Sequence, residues 1–141
     1  MRNARHLLAL AILALGASAA TAADLQLEVS GVRSAEGEVL VAVYAKPADW
    51  LKQPVAVRKS SAREARDGKL VFRFTGLPDG VPLAVSTFHD LNRNGELDMN
   101  PFGMPTEPYA FSRQAQGKFS APSFEQAALP VGTSTTSIEL P

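Results

Sequence analysis

The segment LQLEVS, residues 25–30, decides the fold class. Leu25, Leu27 and Val29 alternate with polar side chains, a period of two that lays one face of a β-strand on a core. The segment VLVAVY, residues 39–44, is apolar or aromatic on both faces, which is typical of a central strand. These two patterns predict that the first half of the chain is built from strands.

Three more runs extend this pattern. Residues 70–74 alternate again, residues 83–88 follow a turn rich in glycine and proline, and residues 136–140 have the alternation of a closing strand. Helical signals are few, although Ser123 and Gln126 have the spacing of a capping box. We therefore predict an all-β fold: a single antiparallel Greek-key β-sandwich, immunoglobulin- or prealbumin-like, with a long ordered loop and a short helix.

The long loop runs from Asp90 to Gly132, where no periodic strand is visible. Unstructured loops longer than ~15 residues are uncommon in compact domains, so the segment is either functional or contains elements without a periodic signal. We predict an ordered excursion over one end of the sandwich, because five aromatic residues in it could be buried: Phe102, Tyr109, Phe111, Phe119 and Phe124.

Residues 1–22 are predicted to be a signal peptide. A positively charged start precedes an apolar run at residues 7–15, and Ala20-Thr21-Ala22 supplies a small-residue cleavage site. The apolar run is too short for a bilayer, which needs roughly 20 apolar residues. We expect a single domain at residues 23–141, periplasmic or secreted, with no transmembrane segment in the mature chain.

The charge and the cysteine content limit the classes of partner that we expect. The chain carries 14 basic and 14 acidic residues, and loss of Arg2 and Arg5 with the signal peptide leaves 12 against 14, a net charge of −2. No basic surface is indicated, so nucleic acid is not an expected partner. Cysteine is absent, which excludes a lipid anchor on a cysteine. The partner classes that we consider are an envelope protein and a glycan.

The stretch DLNRNGELD, residues 90–98, is the one that points to chemistry. Oxygen-bearing side chains stand at its first, third, fifth and ninth positions, with glycine at the sixth, as in the first half of the D-x-[DN]-x-[DN]-G pattern of calcium loops. The glycine permits the positive φ that turns the chain around an ion. We predict a calcium site in which residue 96 contributes its backbone carbonyl and the others their side chains: Asp90, Asn92, Asn94, Glu96 and Asp98.

The loop departs from an EF-hand, because Pro101 stands where that loop has a bidentate glutamate and a strand enters it. Glu107 is the nearest acid that could supply the missing ligand. Two carboxylates and two amides predict weak binding, roughly 10⁻⁴–10⁻³ M. One alternative is a metal-free turn, since Asn94-Gly95 is a strong hairpin dipeptide. Another is a different metal, although zinc is disfavoured because the mature chain has one imidazole and no thiolate.

The preferred function is a non-catalytic binding or structural module, and the alternative is a hydrolase. In the alternative, His89 acts as a general base oriented by Asp90 or Asp98, with a serine as nucleophile. Ser86 and Ser112 are candidates by position only, because no G-x-S-x-G motif is present.

A longer pattern surrounds the loop. The segment FHDLNRNGELD at residues 88–98 is followed by FGMP at 102–105 and EPYAFS at 107–112, and later by GKF at 117–119 and PSFEQA at 122–127. This pattern resembles a bacterial family catalogued as domain of unknown function 2141. The resemblance covers most of the mature chain and is strongest from Gly80 to Ala128.

The resemblance implies an exported β-sandwich protein and no particular activity, because the family has no established one. The chain departs from the family pattern at Ala110, where glycine is usual, and at Ser120-Ala121, where glycine and proline are more common. These departures concern the backbone of the long loop.

Overall fold

The computed structural model of the protein describes residues 22–141. The predicted signal peptide therefore lies, except for Ala22, outside the described residues. In the described part of the chain, no helix is both long enough and apolar enough to cross a membrane. The protein is mainly β, with seven strands in two sheets and one short α-helix.

The elements follow one another along the chain with the single helix near its end. They are β1 (Ala22–Ser30), β2 (Glu38–Tyr44), β3 (Ala56–Ser61), β4 (Leu70–Pro78), β5 (Ala84–Asp90), β6 (Tyr109–Phe111), α1 (Phe124–Ala127) and β7 (Thr135–Glu139).

The first sheet has the order β4-β1-β7. β1 pairs antiparallel with β4, placing Leu27 opposite Phe72, but it pairs parallel with β7, where Leu27 lies opposite Thr136. The prediction of a wholly antiparallel arrangement is therefore wrong for the β1–β7 pair. Strand periodicity carries no information about direction, and a parallel neighbour requires only a long connection, which the intervening chain supplies.

The second sheet has the order β3-β2-β5-β6, with antiparallel pairs throughout. Val39, Val41 and Val43 of β2 are completely buried, while Leu40 and Ala42 on the opposite face are half-buried. The prediction of a central strand at residues 39–44 is confirmed.

One apolar core is shared by the two sheets. It contains alternate residues of β1, β2, β4 and β5, including Leu27, Val41, Phe74 and Val85. Burial of each such side chain stabilises the fold by about 1.5–3 kcal/mol. In β1 and β4, the alternation that predicted the strands is therefore the alternation that builds this core.

A smaller cluster covers the outer face of the second sheet near the end of β2. Tyr44 packs there with Phe111 and Phe124, and Trp50 lies against all three rings. The indole Nε1 of Trp50 donates to the carbonyl of Pro122 at 2.8 Å. The long loop is thus packed onto the second sheet. Its helix begins at Phe124, and the N-cap Ser123 forms the predicted capping box with Gln126.

Two parts of the sequence interpretation are corrected. Of the five aromatic residues predicted to be buried in the long loop, Phe111 and Phe124 are buried and Tyr109 is 38 % exposed. Phe102 and Phe119 are 89 % and 102 % exposed, because they lie in segments that no other element covers. β6 lies inside the loop, where three residues are too few to show a period, and the edge strand β3 was not predicted because its sequence AVRKSS is mostly polar.

Candidate cation-binding loop

The loop begins at the last residue of β5. Asp90 is completely buried, and its carboxylate points along the chain that follows it. Its Oδ1 accepts a hydrogen bond from the amide of Asn94 at 3.2 Å, and its Oδ2 accepts one from the amide of Gly95 at 2.7 Å. The side chain of Asp90 therefore closes the turn by holding its backbone.

The turn is not the two-residue hairpin that the Asn94-Gly95 dipeptide favours. A two-residue type I′ hairpin at Asn94-Gly95 requires positive φ at both residues. In the structure the positive φ values belong to Arg93 (58°) and Gly95 (79°), while Asn94 has none. Gly95 serves the conformational role predicted for it, but in a longer turn organised by Asp90.

Three of the predicted ligands converge in the second half of the loop. Asn94 Nδ2 donates to Asp98 Oδ1 at 2.6 Å, and Asn92 Nδ2 donates to Asp98 Oδ2. The amide oxygens of the two asparagines accept backbone hydrogen bonds, from Asn94 and from Glu96 respectively. The carboxylate of Asp98 thus lies at the centre of a polar cluster that contains two reorientable amides.

The other two predicted ligands are arranged differently. Both oxygens of Asp90 are engaged by backbone amides, and Glu96 is exposed and contributes its own amide to the turn. Across residues 22–141, no three histidine, aspartate or glutamate side chains come close enough together to hold a metal ion. A cation here would depend on amide and carbonyl oxygens beside a single carboxylate, that of Asp98.

Glu107 occupies a position that the sequence only partly indicated. It is 6 % exposed, and its two oxygens accept hydrogen bonds from the amides of Leu91 at 3.0 Å and Asp98 at 3.1 Å. Sequence reasoning considered Glu107 as a replacement ligand, whereas here it ties the first and last parts of the loop together. The amide of Thr106 reinforces this closure by donating to the carbonyl of Asp98 at 2.8 Å.

The loop is also fixed from outside. Gly37, with φ of 74°, packs so closely that an added Cβ would lie 2.1 Å from the carbonyl oxygen of Asp90. Arg93 Nη1 lies 4.0 Å from a carboxylate oxygen of Glu38, a long ion pair in which the arginine is half-exposed and the glutamate is largely buried. The loop therefore has a defined shape in which the carboxylates of Asp90 and Glu107 accept hydrogen bonds from its backbone.

Beyond Asp98 the chain forms a short apolar tip, defined here as Met99, Phe102 and Met104. The side-chain oxygen of Asn100 accepts hydrogen bonds from the amides of Phe102 at 2.9 Å and Met104 at 3.0 Å, which fixes the turn. The three apolar side chains are 55 %, 89 % and 63 % exposed. The sequence analysis did not predict this tip, because it took burial as the default for Phe102. The available signal was an asparagine two residues before an aromatic in a segment rich in proline and glycine.

His89 precedes the loop but does not face a cleft. It is 2 % exposed, and its Nε2 lies 2.6 Å from the carbonyl oxygen of Glu36. Because a carbonyl oxygen can only accept, this nitrogen carries the hydrogen. No observation on the described residues favours the hydrolase interpretation, since the imidazole is buried and its Nε2 is occupied by the backbone.

These features define a two-sheet β protein with a loop that is held by carboxylates at the end of a central strand. The chain belongs to the family described as an uncharacterized protein conserved in bacteria (DUF2141), whose family model matches residues 27–139. This match confirms the resemblance carried by the segments between residues 88 and 127. No curated protein and no solved structure gives a significant match.

Proposed function

We propose that this protein is an exported, non-catalytic binding or structural module of the cell envelope, periplasmic or secreted, that contacts its partner through the apolar tip. The observation that carries the proposal is the fixed shape of the loop. Buried Asp90 and Glu107 hold four backbone amides, and the tip that follows is left exposed. Ordering the loop before binding lowers the entropy cost of association.

The tip favours a protein partner over a glycan at this place. Two methionines and a phenylalanine offer a flexible apolar surface with few hydrogen-bonding groups, which suits an apolar pocket on an envelope protein. A photoreactive amino acid at position 102 tests this in intact cells. We expect a discrete protein adduct from position 102 and none from the exposed control position Lys59 on β3. The absence of a specific adduct at position 102 would contradict the tip as the contact surface.

We further propose that the loop binds calcium weakly, with the ion at the cluster of Asn92, Asn94 and Asp98. Rotation of each asparagine amide would turn its oxygen toward the ion, and the Glu96 carbonyl would add a backbone oxygen. Asp90, whose two oxygens accept from the amides of Asn94 and Gly95, supports the loop from its base. With Asp98 as the main charge, affinity in the range of roughly 10⁻⁴–10⁻³ M is expected.

Calorimetric titration of chelator-treated protein with calcium tests this site, with magnesium as the matched ion. We expect saturable calcium heats and a weaker magnesium response, because magnesium demands near-ideal octahedral geometry and gives up its water reluctantly. If both ions give only heats of dilution, the proposed calcium site is wrong, and the proposal of a binding module is unaffected.

We also propose that the fold is a Greek-key sandwich of the prealbumin type. In the immunoglobulin constant arrangement the first, second, fifth and fourth strands share one sheet. Here β1 pairs with β4 and β7, and β2 pairs with β3 and β5. The return of β4 beside β1, with β2 and β3 paired in the other sheet, supports a Greek key divided between two sheets. An experimental structure tests this assignment.

A further inference from the structure

A cleft of about 550 Å³ is lined by β6 and by the end of β7. One wall is formed by β6 and the chain that follows it as far as Pro122, and the other by the end of β7 together with Arg33. This size is within the range of small-ligand sites, about 300–1,000 Å³.

One wall of the cleft has an unusual backbone. Arg113 and Gln114 are consecutive residues in the left-handed region, with φ of 60° and 49°. This conformation directs the Gln114 side chain to β7, where its Nε2 donates to the carbonyl of Glu139 at 3.0 Å and its Oε1 accepts from the amide of Glu139 at 2.7 Å. A strand paired with this edge of β7 would make the same two hydrogen bonds to the backbone of Glu139.

The Gln114 amide therefore closes the outer edge of β7 at Glu139. A peptide that binds by strand addition needs those backbone groups free. Strand addition at Glu139 is therefore blocked, which disfavours an extended peptide paired with this end of β7 as the occupant.

The side chains that remain are mixed in character. Arg33 and Gln116 are exposed donors, Glu139 is an exposed acceptor, and Ser120 adds a hydroxyl that can do both. Tyr109 contributes a ring that is 38 % exposed, with a hydroxyl at its end. One positive and one negative group do not select a strongly charged ligand, while an aromatic face among amides and hydroxyls suits a ligand with many hydroxyl groups and apolar C–H faces.

We propose that this cleft binds a neutral oligosaccharide. The Tyr109 ring packs against a sugar face, Arg33 and Gln116 donate to hydroxyl oxygens, and Glu139 accepts from hydroxyl groups. The inference deepens the proposed binding role and rests on its non-catalytic character, but it uses neither the apolar tip nor the calcium cluster.

The test is an NMR titration of the purified protein with three neutral probes: maltohexaose, cellohexaose and chitohexaose. We expect amide shifts confined to residues 109–122, Arg33 and Glu139 for at least one probe. Arg33→Ala and Gln116→Ala should each weaken binding by about fivefold or more, the loss expected for one hydrogen bond. Lys118→Ala is the control, since Lys118 lies in the same segment without lining the cleft.

The ring contribution is tested by Tyr109→Phe against Tyr109→Ser, with the amide spectrum verifying the fold of each. Tyr109→Phe should retain most of the affinity and Tyr109→Ser should lose it. Failure of all three probes to shift the cleft amides overturns the proposal, as does a cleft response to a mixture of unstructured hexapeptides alone. Phe102→Ser should leave saccharide binding unchanged, which separates this outcome from failure of the contact proposed for the tip.

Discussion

The Oδ2 atom of Asp90 lies 2.7 Å from the amide nitrogen of Gly95, five residues further along the chain. Asp90 is completely buried, so its charge is stabilised by hydrogen bonds from the turn rather than by water. The turn also depends on Asp90, because the amide of Gly95 donates to this carboxylate and the amide of Asn94 is shared between it and Asn92 Oδ1. The aspartate that begins the calcium-like pattern is therefore a structural residue before any ion binds.

Asp90→Ala should destabilise the protein even in chelator, by roughly 2–4 kcal/mol, because two charge-assisted hydrogen bonds are lost. Asp90→Asn should cost about half as much, since one side-chain oxygen remains as an acceptor. Urea denaturation followed by circular dichroism measures both. Equal stability of wild type and Asp90→Ala in chelator would contradict the structural role of Asp90.

Asp98 gives the sharper test of calcium, because its carboxylate accepts from side chains and its removal leaves Asp90 and Glu107 in place. Wild-type protein should melt several degrees higher in calcium than in chelator, since an ion at ten times its Kd stabilises by about 1.4 kcal/mol. Asp98→Ala should lose this difference, while Asp24→Ala, which removes an exposed carboxylate on β1, should retain it. Identical melting of wild-type protein in calcium and chelator would exclude a significant site.

Glu107→Gln should loosen the loop without unfolding the sheets. The substituted amide keeps one acceptor oxygen, so one of the amides of Leu91 and Asp98 loses its partner. Hydrogen exchange at these two amides should become faster by about tenfold or more, the effect of losing roughly 1.4 kcal/mol of local protection. Exchange at Val41 in the core is the internal control. Unchanged protection of both loop amides would show that Glu107 does not hold them.

Trp50→Phe should cost about 1 kcal/mol, because the ring remains in the aromatic cluster while the hydrogen bond to Pro122 is lost. Trp50→Ala should cost roughly 2–3 kcal/mol, somewhat less than a fully buried tryptophan, since Trp50 is only half-buried. Both variants lack the one tryptophan of the chain, so their unfolding is followed by circular dichroism and not by tryptophan fluorescence. A similar stability for both variants would mean that the cluster does not fasten the long loop to the second sheet.

If the protein is exported, its N-terminus should be processed. Cleavage after Ala22 should give periplasmic or secreted material that begins at Ala23. This would remove the first residue of β1, which pairs with Pro78, and leave the rest of the strand. N-terminal sequencing decides the matter, and a soluble cytoplasmic form that retains Met1 would contradict it.

Local chemistry made much of the fold predictable. In a strand with one buried face, apolar and polar side chains alternate whichever strand it pairs with. This alternation is visible in the sequence at Leu25, Leu27 and Val29. The capping box of Ser123 and Gln126 is likewise complete within four residues. The family could be recognised because its pattern around residues 88–98 is long and continuous.

Relationships between distant parts of the chain became visible only in the tertiary structure. Three such relationships have no periodic signal in the sequence. They are the parallel pairing of β1 with β7, the hydrogen bond from Leu91 to Glu107 sixteen residues away, and the hydrogen bonds of Gln114 to Glu139 of β7. The exposure of Phe102 was equally hidden, because composition says which side chains prefer burial but not whether a neighbour is present to bury them. The sequence determined five of the seven described strands and the polar loop between Asp90 and Asp98. Packing decided that buried Asp90 and Glu107 support the backbone and that the nearby apolar tip faces solvent.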